Sequence, residues 1–182
     1  MTAQIMTHSG RVVDLLDFHV SDVSVSDVAY ALSHLCRYCG HVEFYSVAQH
    51  SVLVSLACAP EDALWGLLHD AAEVYVADVP GPLKRTPALA GYRAVEDRIQ
   101  AVIARKFRLP TSQPESVDLA DKRLALAEMR DLFPAPRDPD YLTGIEPAAV
   151  RVVPVGPARA NRLFLERYVE LVLMRSRGPA GV

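Results

Sequence analysis

The stretch Ala63-Leu64-Trp65-Gly66-Leu67-Leu68-His69-Asp70-Ala71-Ala72-Glu73 decides how the rest of the chain is read. It opens on apolar residues and glycine and closes on a histidine and two carboxylates. On a helix, Trp65, His69 and Glu73 are spaced by fours and share a face, with Asp70 beside His69. A face that begins in the core therefore ends in ionisable groups, and burying a charge without a partner is expensive. A metal ion is a partner that satisfies all three side chains.

Two further segments supply matching donors. In residues 46–57, expected to be helical and closed by Pro60, Val47, His50, Ser51 and Val54 fall at i, i+3, i+4 and i+7, so His50 sits in the apolar stripe. In a helix opened by Pro114 and running to Leu132, Val117, Ala120, Asp121, Leu124 and Glu128 make one stripe. Taken singly, His50 reads as a hydrogen-bonded core residue and Asp121 as a local acceptor. Taken together, His50, His69, Asp70 and Asp121 form a mixed nitrogen and oxygen donor set, suited to a divalent transition metal with open positions for water and substrate.

The remaining pattern is mostly helical. Residues 4–7 and 11–15 read as a short hairpin around His8-Ser9-Gly10. Ser26 or Asp27 is a candidate cap for a helix ending at Gly40. The loop Asp78-Val79-Pro80-Gly81-Pro82 stops the helix that carries the His-Asp pair. A long helix is expected over residues 91–107, with Val95, Ile99, Val102 and Ile103 on its apolar stripe, and a last one over 158–174. Between them lies a proline-rich loop from Pro134 to Pro139, and Val150-Arg151-Val152-Val153 is a strand candidate that could join the hairpin. The expected fold is all-α, a helical bundle with an N-terminal hairpin within residues 1–20.

Gln49-His50-Ser51, Leu68-His69-Asp70-Ala71-Ala72-Glu73, Asp78-Val79-Pro80-Gly81-Pro82-Leu83-Lys84 and Ala120-Asp121 resemble the ordered H…HD…D signature of the HD-domain metal-dependent phosphohydrolases. The likeness spans about residues 26–132 and is nearest to the bacterial 5′-deoxynucleotidases and their phage-encoded relatives that cleave deoxynucleoside triphosphates. The resemblance implies His50, His69, Asp70 and Asp121 as metal ligands, Glu73 as catalytic acid and Asp78 as a second acidic group near the sugar. Arg37-Tyr38 matches an Arg-Trp pair that contacts nucleotide, with tyrosine standing where the family has tryptophan. Lys84 is a further candidate for the phosphate. No histidine follows position 69, whereas two-metal members of the family use later histidines, so one divalent ion per chain (zinc, manganese, cobalt or magnesium) is expected. The family likeness also implies a homo-oligomer, with a dimer favoured. A non-catalytic nucleotide-binding module of the same fold is the alternative from a different functional class.

Bulk properties narrow the choice. In 182 residues, 51% are apolar, enough for a core, and the net charge of −3 with scattered arginines argues against duplex nucleic acid as partner. No run approaches the roughly 18 apolar residues of a membrane span, and the N-terminus lacks the features of a signal peptide, so a cytoplasmic location is expected. Cys36 and Cys39, flanked by His34 and His41, form a compact C-x-x-C that is too short for a usual zinc finger, and the cysteines are expected to fill core space.

Overall fold

Two serines start the first pair of helices. Ser24 Oγ accepts from the Asp27 amide at the head of α1 (Val25–His34), and Ser46 Oγ accepts from the Gln49 amide at 3.2 Å at the head of α2 (Val47–Ala57). Such acceptors satisfy amides that have no partner in the first turn. The cap of α1 thus lies two residues before Ser26 and three before Asp27, the two expected candidates. Asp27 is buried and used elsewhere, accepting from Thr7 Oγ1, the Ser9 amide and Ser9 Oγ. These bonds dock the hairpin, whose strands β1 (Gln4–Met6) and β2 (Val12–Asp14) pair antiparallel as expected, with Gly10 at φ +81° in the turn.

The computed structural model describes residues 2–135 and 139–176. Pro136 and Asp138 of the expected loop, and the tail 178–182, lie outside them. Beyond α2 come α3 (Ala63–Leu68), α4 (Glu73–Val76), α5 (Gly81–Lys84), α6 (Ala90–Lys106), α7 (Glu115–Leu132) and α8 (Pro157–Ser176). The protein is mostly helical. Among the described residues no helix is long and apolar enough to cross a membrane.

Helix α2 packs against α1, α3, α7 and α8 and is buried almost all round. A helix without a solvent face must satisfy its polar residues internally, and α2 carries Gln49, His50, Ser51 and Ser55. One apolar cluster gathers Leu32, Val47, Leu67, Ile103 and Phe164, and a second gathers Tyr45, Val54, Trp65 and Leu124. Each large side chain so buried contributes about 1.5–3 kcal/mol.

Two expectations are corrected. The helix bearing the His-Asp pair is not continuous, because α3 stops at Leu68 and α4 begins at Glu73. The Gln100 side chain of α6 occupies the gap, its Nε2 donating to Leu68 O (2.8 Å) while its Oε1 accepts from the Ala72 amide (3.1 Å). A side chain inserted into the helical ladder is a recognised cause of a break. Second, residues 150–153 form no strand with the hairpin. Side chains take their peptide groups instead: Arg130 donates to Val150 O, Asp131 accepts from the Val152 amide, and Gln49 donates to Val153 O and accepts from the Val155 amide. The peptide groups of this β-branched run are thus held by side chains of α2 and α7.

The close approach of α2 and α3 depends on Gly66, where a Cβ would lie 2.9 Å from Cys58 Sγ and 3.1 Å from Ser55 Cα. Backbone cannot swing aside as a side chain can. Gly66→Ala is therefore expected to lower stability by about 1–3 kcal/mol in urea denaturation, despite the better helix propensity of alanine.

Candidate metal centre

Three helices bring the four expected ligands to one point. His50 lies mid-way along α2 with 0% exposure, His69 and Asp70 follow the last residue of α3, and Asp121 is on α7. His50 Nε2 is 3.2 Å from His69 Nε2, 3.1 Å from Asp121 Oδ1 and 3.7 Å from Asp70 Oδ2, and His69 Nε2 is 3.2 Å from the same Asp70 oxygen. His50, His69 and Asp121 form a group that could hold a metal ion.

Hydrogen bonds on the far side of each ring decide what faces this point. His69 Nδ1 is 2.8 Å from Gly66 O, a carbonyl that can only accept, so Nδ1 carries the hydrogen. His50 Nδ1 is 2.6 Å from Glu128 Oε1, and it donates to that carboxylate. In the neutral rings both Nε2 atoms then present lone pairs to each other, with two carboxylates alongside. Four acceptors converging in a buried place repel unless a cation lies among them. Outer acceptors that fix the imidazole tautomer are the usual support of a histidine metal ligand. The donor set fits a divalent metal.

The electrostatics carry the same demand. Burial and then Arg37 push the His50 imidazole down, but Glu128 and Asp121 outweigh them and its pKa is pushed up to about 10. The metal-free chain thus holds a proton where a metal would displace it. Burial would raise Asp70 and Asp121, yet the two imidazoles, joined by Arg37 at Asp70, hold both carboxyls below their ordinary range.

Glu128 is the functional residue the sequence reading missed. It appears there only as the last position of the α7 stripe, a carboxylate at a core register, and that register was the available signal. With 0% exposure it accepts from Arg37 Nη2 (3.1 Å), Tyr38 Oη (2.6 Å), Tyr45 Oη (2.8 Å) and His50 Nδ1. Burial opposes its ionisation, but Arg37 and His50 hold its pKa down at about 2. Tyr45 is fully buried with its hydroxyl on this carboxylate.

Beside the ligands opens a cavity of about 470 Å³, and Arg37, Tyr38, Asp70, Glu73, Asp78 and Lys84 all line it. Their roles differ from those expected in two cases. The Lys84 ammonium is engaged by Glu73 Oε1 at 3.0 Å and Glu96 Oε1 at 2.6 Å, so it orients the expected catalytic acid. The Tyr38 hydroxyl is spent on Glu128, and only its ring is left to face a ligand. Tyr38 and Cys39 both take positive φ (57° and 52°), each costing about 1–3 kcal/mol, in a turn secured by Arg37 N–H on Tyr45 O. Arg37 is drawn toward Asp70 (3.6 Å) as well as Glu128. Two buried polar atoms of cavity side chains, Arg37 Nε and Glu73 Oε2, lack a hydrogen-bond partner among the described residues. Glu73 is also pushed well above its ordinary pKa by burial and then by Asp70 and Asp78, with Lys84 opposing.

The C-x-x-C segment does not assemble a second centre among the described residues. Helix α1 ends at His34, Cys36 pairs in an isolated bridge with Ser46, and Cys39 is exposed on the cavity wall rather than filling core.

Glu128→Gln removes the carboxylate that orients His50 and neutralises Arg37. Equilibrium metal binding is expected to weaken about 10–100-fold, with a loss of about 3–5 kcal/mol in chemical denaturation from the charges left unpaired.

No family model matches the chain. It is 38% identical over 176 residues to the uncharacterized protein YfdR of Escherichia coli (strain K12), covering 94% of this chain and 97% of that protein. It is 32% identical over 193 residues to the uncharacterized protein RCAP_rcc00048 of Rhodobacter capsulatus, covering 92% and 94% respectively. Likeness of that level over nearly the whole of both partners shows that the chain belongs to the family of YfdR and RCAP_rcc00048.

Proposed function

We propose that this protein is a metal-dependent phosphohydrolase of the HD type that removes phosphate from deoxynucleoside monophosphates. The observation that carries the proposal is the pair of buried Nε2 atoms, 3.2 Å apart and flanked by Asp70 and Asp121, with both Nδ1 hydrogens committed elsewhere. A divalent ion held by His50, His69, Asp70 and Asp121 supplies Lewis acidity toward a phosphoryl oxygen and lowers the pKa of water.

The chain's own groups are arranged for the rest. Lys84 holds Glu73 by Oε1 and leaves Oε2, at the cavity, without a partner. With its pKa raised, that carboxyl takes up a proton more readily than an ordinary glutamate and can pass it to the departing sugar oxygen. Arg37, locked in place by Glu128, faces the cavity as a fixed cation for a phosphate oxygen. Asp78, raised by burial and by Asp70 against the pull of Arg37 and Lys84, is positioned on the wall to accept from a sugar hydroxyl.

Charge balance favours a monophosphate over a triphosphate. The cavity cations Arg37, Lys84, Arg85 and Lys122 are outnumbered by Asp70, Glu73, Asp78, Asp118 and Asp121, and Lys84 and Lys122 are already paired with carboxylates. A divalent ion turns this excess of one negative charge into an excess of one positive charge, which meets all but one charge of a monoester dianion. A triphosphate would bring more negative charge than the wall can meet. Arg85 remains available; its guanidinium rests over the Tyr141 ring at 4.8 Å.

Assay of deoxynucleoside mono-, di- and triphosphates with manganese, cobalt, zinc and magnesium, reading free phosphate and tripolyphosphate separately, tests the reading. Free phosphate from monophosphates is expected, lost on chelation and restored by metal. Tripolyphosphate release would replace it with the triphosphatase reading, and binding without turnover would replace it with a nucleotide-binding module. Glu73→Ala is expected to lose nearly all turnover while still binding metal. Arg85→Ala is expected to raise KM about tenfold with little change in kcat, the mark of a contact made equally in ground and transition states.

A further inference from the structure

We infer that Gln100 is a positioning residue for the metal centre, its amide replacing one helical hydrogen bond and thereby setting where Asp70 and Glu73 point. The inference rests on the metal reading above and deepens it.

Leu68 C=O and Ala72 N–H are the i and i+4 partners that a continuous α-helix would join directly. Here neither bonds the other. Gln100 Nε2 donates to Leu68 O at 2.8 Å, and the Ala72 amide donates to Gln100 Oε1 at 3.1 Å. Nothing local asks for this break. Residues 69–72 contain neither glycine nor proline, and Ala71 and Ala72 are the best of helix formers. The break is imposed from α6, across 28 and 32 residues of sequence. A side-chain amide offers a donor and an acceptor from one planar group, as the peptide partners it replaces do. The two alanines, both buried, leave room for it.

The consequence falls on the site. With the long bond removed, the segment closes by bonds three residues apart: the Ala71 amide on Leu68 O (3.1 Å), the Glu73 amide on Asp70 O (3.0 Å) and the Tyr75 amide on Ala72 O (3.0 Å). At about three residues per turn, side chains at i and i+3 eclipse. Asp70 and Glu73 are such a pair, and both face the cavity. His69, one position earlier, turns inward to His50. In an unbroken α-helix Glu73 would lie nearer His69, four residues before it, and be turned about 60° away from Asp70. Gln100 thus separates the two tasks of one short segment, a ligand turned to the interior and an acid turned to the substrate.

Cobalt binding to the full chain tests this, because the visible absorption of bound cobalt reports ligand geometry. Wild type is expected to take up one cobalt per chain, and His50→Ala to lose it. Gln100→Leu, which matches the volume but lets Leu68 and Ala72 bond directly, is expected to bind cobalt about 10–100-fold more weakly with altered visible bands. If that variant does not fold, Gln100→Glu serves, keeping the acceptor for Ala72 but removing the donor to Leu68, with the same direction expected. A residue that merely stabilised the fold would lower the melting temperature and leave affinity and bands unchanged, and that result overturns the inference while sparing the metal reading. Wild-type protein that takes up no cobalt overturns the metal reading itself, and the inference with it.

Discussion

Everything at this site depends on two buried imidazoles whose Nε2 atoms lie 3.2 Å apart with two carboxylates beside them. Gly66 O and Glu128 have claimed the opposite nitrogens, so the two Nε2 atoms are joined only by an added proton, as His50 holds in the metal-free chain, or by a metal. With Asp70 and Asp121 added, the interior holds a concentration of acceptors that only a proton or a metal can reconcile. The helices are arranged about that demand. α2 runs through the middle of the molecule and α3 crosses it so closely that position 66 has no space for a side chain, while α7 presents two carboxylates at core register.

Such a centre is costly to keep in order, and the cost is met by pairing rather than by exposure. Glu128, Arg37, Tyr38, Tyr45 and His50 form one connected network in which each buried polar group has a charged or hydrogen-bonded neighbour. Removing the Glu128 carboxylate takes from Arg37 and His50 a charged partner they share in low dielectric, which is worse than never having buried them. The left-handed turn at Tyr38 and Cys39 belongs to the same economy: an unfavourable backbone is tolerated because the ring hydroxyl it delivers closes the network.

Around the ligands, the cavity is neither strongly basic nor strongly acidic. Lys84 is diverted to Glu73 and Glu96, and Arg37 to Glu128 and Asp70, so the side chains that look from their type like free phosphate clamps are mostly constrained by carboxylates. What they supply is fixed position. A guanidinium or ammonium already held in place loses little entropy when a ligand arrives, and an acid held by one oxygen offers the other in a defined direction.

The sequence by itself determined which residues stand on inward faces. Period and spacing are local properties, so His50, His69, Asp70, Asp121 and the helices that carry them were legible, as was the hairpin. It did not determine who partners whom. Gln49 with Val153 and Val155, Gln100 with Leu68 and Ala72, Lys84 with Glu73 and Glu96, and Glu128 with four donors from before residue 51 are pairings that no periodicity encodes. A strand was expected at 150–153 because its residues favour extension, but the peptide groups there are taken by side chains about 20 or 100 residues away. Likewise an unbroken helix was expected through His69 because alanine favours one, and only the packing of α6 against that turn supplied the amide that interrupts it. Local propensity chose the conformations available to each segment, and tertiary hydrogen bonding, strong because it is buried, chose among them.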